Sequence, residues 1–459
     1  MAACFLRGPS LDEFATEFYA DPAIPLAKAW FELWPTETNP PFFYLIARWG
    51  VETLGDPLYA RRLVDAAPLL GLAAWFVVAA RRRPERRGFL AAYAVLTVCG
   101  KIFLTTLPYY RSYFWQYAAE VVFCGAVTLA WLEERRSAEV AQLAALPFLI
   151  LLHQITAIYA VVIASVFTVA NFAMRRPAPA IATLSVGAVS AIPLLAFSAL
   201  QLEHHAQVLG EVGWIPRLGV LASLAEIGAI FPGAMAQNWA AAGFAVMALA
   251  AASRPRGRRE AAIALLLGSA VAATALVLAI NTLKPIVVQR YFSFAFVECA
   301  CALAVLIAPW LDSHRRVAWL VPLNAAAFVL TYGVTQAHKP FWERGAEQVA
   351  AIVRKCPTAR VRGGSRPEDP RETLGLTYLG RRHGFEVLPV APDAPGDCPV
   401  LYWTEQNAPT DSDVAAFAGN LARAANAKAD YQLPEALLSV ATAERTNNGT
   451  IIIVGERAK

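Results

Sequence analysis

Long apolar runs separated by short polar breaks set the pattern of this chain. They fall at 64–80, 88–107, 114–132, 139–155, 157–174, 178–200, 236–252, 261–280, 293–311 and 316–334. A bilayer core takes about 17–25 residues of helix, so each run predicts one crossing and the chain about ten or eleven. The narrowest break, around His153-Gln154, divides 139–155 from 157–174. After Thr335 the pattern changes, because no later run is long enough to span. Phe341 to Lys355 predicts an amphipathic helix, further helices are predicted near 371–382 and 411–427, and 385–390, 400–403 and 450–454 read as strands. Asn448-Gly449 suits a tight turn between strands. The pattern therefore predicts an α-helical polytopic membrane protein over 1–335, with 1–63 as its first outer loop, and a small α/β domain over 336–459.

Composition narrows the class. Of 459 residues 57% are hydrophobic and 16% charged, which excludes a soluble globular domain, where about 25% are charged. The net charge of +5 builds no basic face for nucleic acid. The arginines gather instead in short clusters between apolar runs: 81–87, Arg135-Arg136, Arg175-Arg176, Arg254 to Arg259 and Arg315-Arg316. With one crossing per run these clusters share a side, as cytoplasmic loops do. Residues 1–63, 108–113, 201–235, 281–292 and 335–459 then lie outside. The expected location is a bacterial inner membrane, with the C-terminal domain in the periplasm. Residues 1–10 hold neither a signal peptide nor a spanning helix, so a first span upstream of Met1 is the expectation, the alternative being translocation of about sixty residues with the first hairpin. None of the seven cysteines forms a Cys-x-x-Cys pair, and Cys124, Cys299 and Cys301 sit in apolar runs as small hydrophobes. Cys356 and Cys398 belong to the C-terminal domain, and an oxidising compartment predicts a disulfide between them.

The segment before the first crossing carries the densest chemistry. Ser10-Leu11-Asp12-Glu13 has capping-box spacing, which predicts a helix from about Asp12 with Glu13 as cap and Asp12 favouring the helix dipole. Two carboxylates beside a membrane also suit chemistry at the bilayer surface, and both readings stand. Residues 24–34, with Trp30, Phe31 and Trp34, predict a helix lying in the interface. Asn39-Pro40-Pro41 cannot be helix interior and sets the angle of a helix opening at Phe42-Phe43-Tyr44.

These features together resemble the polyprenyl-phosphate-dependent membrane glycosyltransferases of the GT-C fold, the group of the protein O-mannosyltransferases and the aminoarabinose transferase. Arg61-Arg62-Leu63 is similar to the family's Leu-Arg-Leu-Pro lead into its next helix, and Arg111-Ser112-Tyr113 to the Arg-x-Tyr of its second outer loop. Leu151-Leu152-His153 resembles the His closing a later span. The stretch from Lys284-Pro285 to Gln289-Arg290-Tyr291-Phe292 resembles the Pro-…-Arg-Tyr-Leu segment before a late helix. The resemblance covers residues 11 to about 355 and rests on the order and common outer placement of short motifs. The chain departs from the family at two positions. Asn39 stands for the His before Pro-Pro, and Tyr109 for the acid often found two residues before Arg-x-Tyr. That acid's work would pass to another group, for which Glu120 is a candidate.

The resemblance implies transfer of a sugar from a polyprenyl-phosphate donor to an envelope acceptor (lipid, glycan or protein), with inversion. The departing phosphate is a weak base, so no strong general acid is needed. A base for the acceptor hydroxyl is, and is worth about 10²–10⁴-fold. In the family the acid of the first outer loop has this part, which points to Asp12, with Glu13 beside it. Charge builds on the leaving phosphate, so fixed cations should face it. The candidates are Arg111, Arg290 and Lys284, the arginines first because guanidinium grips phosphate through two donors. The alternative for each is an interfacial anchor. Asn39, Tyr113, Tyr291 and His153 are substrate-loop candidates, and His153 has a structural reading beside the functional one. His204-His205 lack carboxylates at metal spacing, so no metal site is assigned and a divalent cation stays open. Two other readings remain, a transporter or flippase of lipid-linked saccharides and a polymerase or ligase using the same donors. A transporter should show repeats or ionisable residues at mid-membrane, whereas the charges here are expected at span ends.

Overall fold

The computed structural model describes residues 7–37, 39–55, 58–98, 100–107, 109–133, 136–208, 218–231, 257–283, 285–313, 326–327, 329–330, 333–334, 339, 341–363, 370–405, 426, 434–438, 441–446 and 449–455. They fall into two compact units, a helical one over Pro22–Gln336 and a second that joins Leu6–Asp21 to Ala337–Lys459. The principal helices are α1 (Leu11–Tyr19), α2 (Phe42–Leu54), α3 (Ala66–Arg82), α4 (Arg87–Val98), α5 (Lys101–Thr106), α6 (Tyr113–Glu133) and α7 (Arg136–Leu152). They continue with α8 (Gln154–Ala173), α9 (Pro177–Val208), α10 (Val220–Gly228), α11 (Arg258–Leu283), α12 (Ser293–Ser313), α13 (Glu343–Lys355) and α14 (Pro370–His383).

In the helical unit, five helices among the described residues are long and apolar enough to cross a membrane: Arg62–Arg82, Gln154–Ala173, Pro177–Glu203, Arg258–Leu283 and Ser293–Ser313. The protein is a multi-pass membrane protein. The predicted run 88–107 is not one helix but two, α4 and α5, because Gly100 is extended (φ −86°, ψ 158°) and starts a new helix at Lys101. The predicted interface helix 24–34 is also broken. A single turn at Leu26–Lys28 passes into the π-helical Ala29–Leu33 and the 3₁₀ turn Trp34–Thr36, where Pro35 removes a donor. Its tryptophans pack inward, with Trp30 on Phe42 and Phe197 and Trp34 on Tyr44. The run 236–252 lies outside the described residues, as does most of 316–334.

Pairings at the helix ends fix directions. Glu139, near the start of α7, meets Arg176, just past α8, at 3.5 Å, so the two helices run antiparallel although His153 alone separates them. Arg83 and Arg86 pair with Glu133 at the end of α6, at 2.8 and 3.0 Å. The Gly88 amide donates to Asp312 at the end of α12, and Trp131 Nε1 to the Arg258 carbonyl. The arginine-bearing loops thus converge on one end of the unit. Ser293 bonds to Glu120 and Cys301 to Thr128, so α6 and α12 run parallel. The other end collects residues 109–112, His153 and 285–292. One expectation fails here: Glu120 and Glu298 are fully buried within helices rather than placed at span ends.

The second unit is built on a mixed five-stranded sheet of β1 (Arg360–Gly363), β2 (Val387–Pro389), β3 (Val400–Thr404), β4 (Ala441–Arg445) and β5 (Thr450–Val454), in the order β2-β1-β3-β5-β4. β1 pairs in parallel with β2 and β3, while β5 is antiparallel to both β3 and β4. The central strands β3 and β5 are buried on both faces, as their continuous apolar runs require. Strands β1 and β4 were not evident in the sequence, where Arg-Val-Arg-Gly and Ala-Thr-Ala-Glu-Arg carry too little hydrophobicity to stand out. All of the predicted helix 411–427 except Asn426, and Asn448, lie outside the described residues. Cys356 and Cys398 are joined in a disulfide across a separation of 42 residues.

Residues 6–21, read in the sequence as part of the membrane domain's first loop, belong instead to this unit. Gly8 N donates to the Lys339 carbonyl and Trp342 N to that of Pro9. Phe14 is buried against Trp342 and Tyr378, with ring centroids 5.5 and 5.7 Å away. Gly375 permits this approach, since a Cβ there would stand 2.5 Å from the Phe14 ring. Burying one Phe contributes about 1.5–3 kcal/mol, which holds α1 on α14.

Candidate active site

The end of the helical unit away from the arginine clusters holds most of the candidate residues. Pro41 caps α2 in helical conformation, and the chain turns directly into Phe42-Phe43-Tyr44. Tyr44 is buried and its hydroxyl accepts from Arg111 Nη1 at 3.1 Å. The neighbouring Tyr110 donates to the Ala47 carbonyl at 3.0 Å and packs on Phe43. Burial pushes the Tyr110 phenol above its ordinary range, with a smaller opposing effect from Arg61 and a reinforcing one from Asp65. Tyr44 from α2 and Tyr110 within the loop thus fix the segment that presents Arg111, itself only 7% exposed. Tyr113, the third residue of Arg-x-Tyr, is half-buried with its ring against Tyr109.

A second group forms around His153. Its backbone is extended (φ −158°, ψ 134°), and its Nδ1 accepts from Ile155 N at 3.2 Å, so the imidazole caps α8. That fixes the tautomer with the proton on Nε2. The ring lies 4.7 Å from that of Tyr291, centroid to centroid, and is buried. Next in sequence, Gln154 donates to Gln201 at 2.8 Å, and Gln201 donates to the Glu37 carbonyl at 2.6 Å. Asn39 in turn donates to the Glu37 carboxylate at 3.3 Å. A continuous polar chain therefore links Asn39 to the helix carrying His153.

Beneath these groups sits a buried cluster that the sequence gave little sign of. Gln116 donates to Glu120 at 3.3 Å and also bonds Thr156, while Ser293 donates to the same Glu120 oxygen at 3.0 Å. Deeper, Ser269 donates to Glu298 at 2.7 Å. The available signal was an isolated Glu within each apolar run. Tyr44, Gln154 and Gln201 were also missed as site residues, although Tyr44 stands in the Pro-Pro motif. A cavity of about 510 Å³ between α3, α6 and α7 is lined mainly by Ala, Gly and other apolar side chains and holds none of the candidate residues.

Lys284 lies outside the described residues, and so do the side chains of Arg290, His204 and His205; Arg290 belongs to the 3₁₀ turn Gln289–Phe292. Asp12 and Glu13 are in the second unit. Glu13 is fully buried, and both Ser10 N and Ser10 Oγ donate to its Oε2, at 3.1 and 3.2 Å. It is engaged as a helix cap. Asp12, on the adjacent position, is half-buried, and its carbonyl accepts from Thr16. Among the described residues no group of three or more His, Cys, Asp or Glu side chains could hold a metal ion.

Comparison with solved structures gives the fold. The chain is similar to ArnT from Cupriavidus metallidurans in the apo state, at 14% identity and a TM-score of 0.56, over 98% of this chain and 93% of that one. It is likewise similar to the same protein bound to undecaprenyl phosphate, at 15% identity and a TM-score of 0.53, over 99% and 95%. No protein-family model and no curated protein sequence matches the chain. At this identity the likeness is one of fold, and the fold is shared over nearly the whole length of both chains.

Proposed function

We propose that a chain with this fold is an integral membrane glycosyltransferase that moves a sugar from a polyprenyl-phosphate donor to an acceptor of the cell envelope. The observation that carries the proposal is full-length similarity to a structure holding undecaprenyl phosphate. The candidate residues at the end of the helical unit opposite the arginine clusters agree with it. In this reading that end faces the periplasm and the arginine loops face the cytoplasm. Arg111 binds the donor phosphate, assisted by Arg290 and Lys284, and stabilises the charge that develops as the glycosidic bond breaks. Tyr44 and Tyr110 hold the Arg111 loop in place. Asp12 accepts the proton of the acceptor hydroxyl as that oxygen attacks the anomeric carbon from the face opposite the phosphate, which inverts the configuration. Glu13 keeps the first turn of α1 formed. His153, Tyr291, Asn39 and Tyr113 contact substrate.

A transporter of lipid-linked saccharides is the second reading, favoured by the carboxylates of Glu120 and Glu298 buried within apolar helices. Ligand-dependent melting tests both. A ligand at a hundred times its Kd stabilises the folded state by about 2.7 kcal/mol. The purified protein should melt higher with undecaprenyl phosphate, and Arg111→Ala should abolish the shift. Turnover then separates the readings. Release of polyprenyl phosphate from a polyprenyl-phosphate sugar supports the transferase, whereas transbilayer movement of intact donor without release supports the transporter.

A further inference from the structure

An ionisable side chain buried within an apolar helix costs several kcal/mol unless its partners compensate. Glu120 is fully buried, and its partners lie on particular segments. Gln116 precedes it by one turn of α6, Ser293 opens α12, and Thr156, held through Gln116, stands in the first turn of α8. Each of these positions lies close in sequence to a candidate site residue on the same segment. Arg111 precedes Gln116, His153 precedes Thr156, and Tyr291 precedes Ser293, all within about one to two helical turns. One carboxylate thus ties together the three segments that present Arg111, His153 and Tyr291.

The cluster is not saturated. Among the described residues Glu120 Oε2 and Gln116 Oε1 make no hydrogen bond. A half-satisfied network is worse for stability than an apolar core, so stability alone does not account for the carboxylate. Glu298 provides an internal comparison. It is equally buried, stands on α12 itself and likewise has an oxygen, Oε2, without a hydrogen bond, but its bonded partner is Ser269 of α11, so its hydrogen bonds tie α12 to neither α6 nor α8.

We propose that Glu120 is a positioning residue for the donor site, lacing the ends of α6, α8 and α12 so that Arg111, His153 and Tyr291 hold one arrangement around the donor phosphate. This rests on the transferase reading above. It assigns Glu120 a place in donor recognition without contact with the reacting atoms.

The test uses the full chain in detergent, undecaprenyl phosphate as probe, and binding and melting measured side by side. Glu120→Leu should weaken undecaprenyl phosphate binding at least about tenfold, or about 1.4 kcal/mol. Glu120→Gln, which keeps an acceptor for Ser293, should restore affinity to within about threefold of wild type. Glu298→Leu should leave affinity within about twofold. If Glu120→Leu does not fold, Thr156→Val cuts the same lacing at its α8 end and should weaken binding in the same direction. Wild-type affinity in Glu120→Leu, or in Thr156→Val where it stands in, would overturn the inference, and so would an equal loss in Glu298→Leu. Failure of the wild-type protein to bind undecaprenyl phosphate at all would sink the transferase reading and the inference with it.

Discussion

Asp12 and Glu13 stand at the start of a helix, whereas Glu120 and Glu298 lie within apolar helices, and the two pairs of acids teach different things. The first pair is organised locally. Glu13 closes a capping box with Ser10, and its neighbour is left half-exposed on a helix that Phe14 anchors to Trp342 and Tyr378. The second pair is organised by contacts far apart in sequence, Ser293 on Glu120 and Ser269 on Glu298. An acid that acts within its own first helical turn can change without moving distant helices. An acid that holds separate helices cannot change without moving what those helices carry.

The contrast predicts where substitutions separate activity from stability. Asp12→Asn should reduce transfer by about 10²–10⁴-fold, the usual contribution of a general base, with the melting temperature unchanged. Equal loss of activity and stability would instead make Asp12 structural. Phe14→Ala should destabilise the second unit by about 3–5 kcal/mol, seen as earlier proteolysis of the C-terminal region in the full chain. Because α1 is held there, activity should fall in parallel. Reducing the Cys356–Cys398 disulfide should cost about 2–4 kcal/mol, read as a lower melting temperature in the presence of reductant. Glu13→Ala should have the smallest effect, about 1 kcal/mol from the lost cap, with activity reduced only as far as the first turn of α1 frays.

The sequence made the crossings legible where apolar length alone decides them, as in α8, α9, α11 and α12. It also marked the capping box, because that motif lies within four residues. It missed the division of 88–107 into α4 and α5, since a Gly inside an apolar run does not declare that its backbone is extended. It read His153 as the point between two helices but could not show that its own Nδ1 caps the second. The docking of α1 on α14 was hidden for a related reason. Phe14 and Gly375 meet only in three dimensions, and nothing near either residue names its partner. Of the site, Arg111 and Asn39 were visible through motifs. Tyr44, Gln201 and the Glu120 cluster depend on pairings across more than thirty positions of chain, which no local pattern carries.

The most direct measurement is mass spectrometry of membrane lipids from cells lacking this protein, complemented with wild type or with Asp12→Asn. A single polyprenyl-phosphate sugar should accumulate in the deletion strain and in the Asp12→Asn strain, and disappear on complementation with wild type. No change in any polyprenyl-phosphate sugar on deletion would contradict the transferase reading, and wild-type lipids in the Asp12→Asn strain would remove Asp12 from the chemistry.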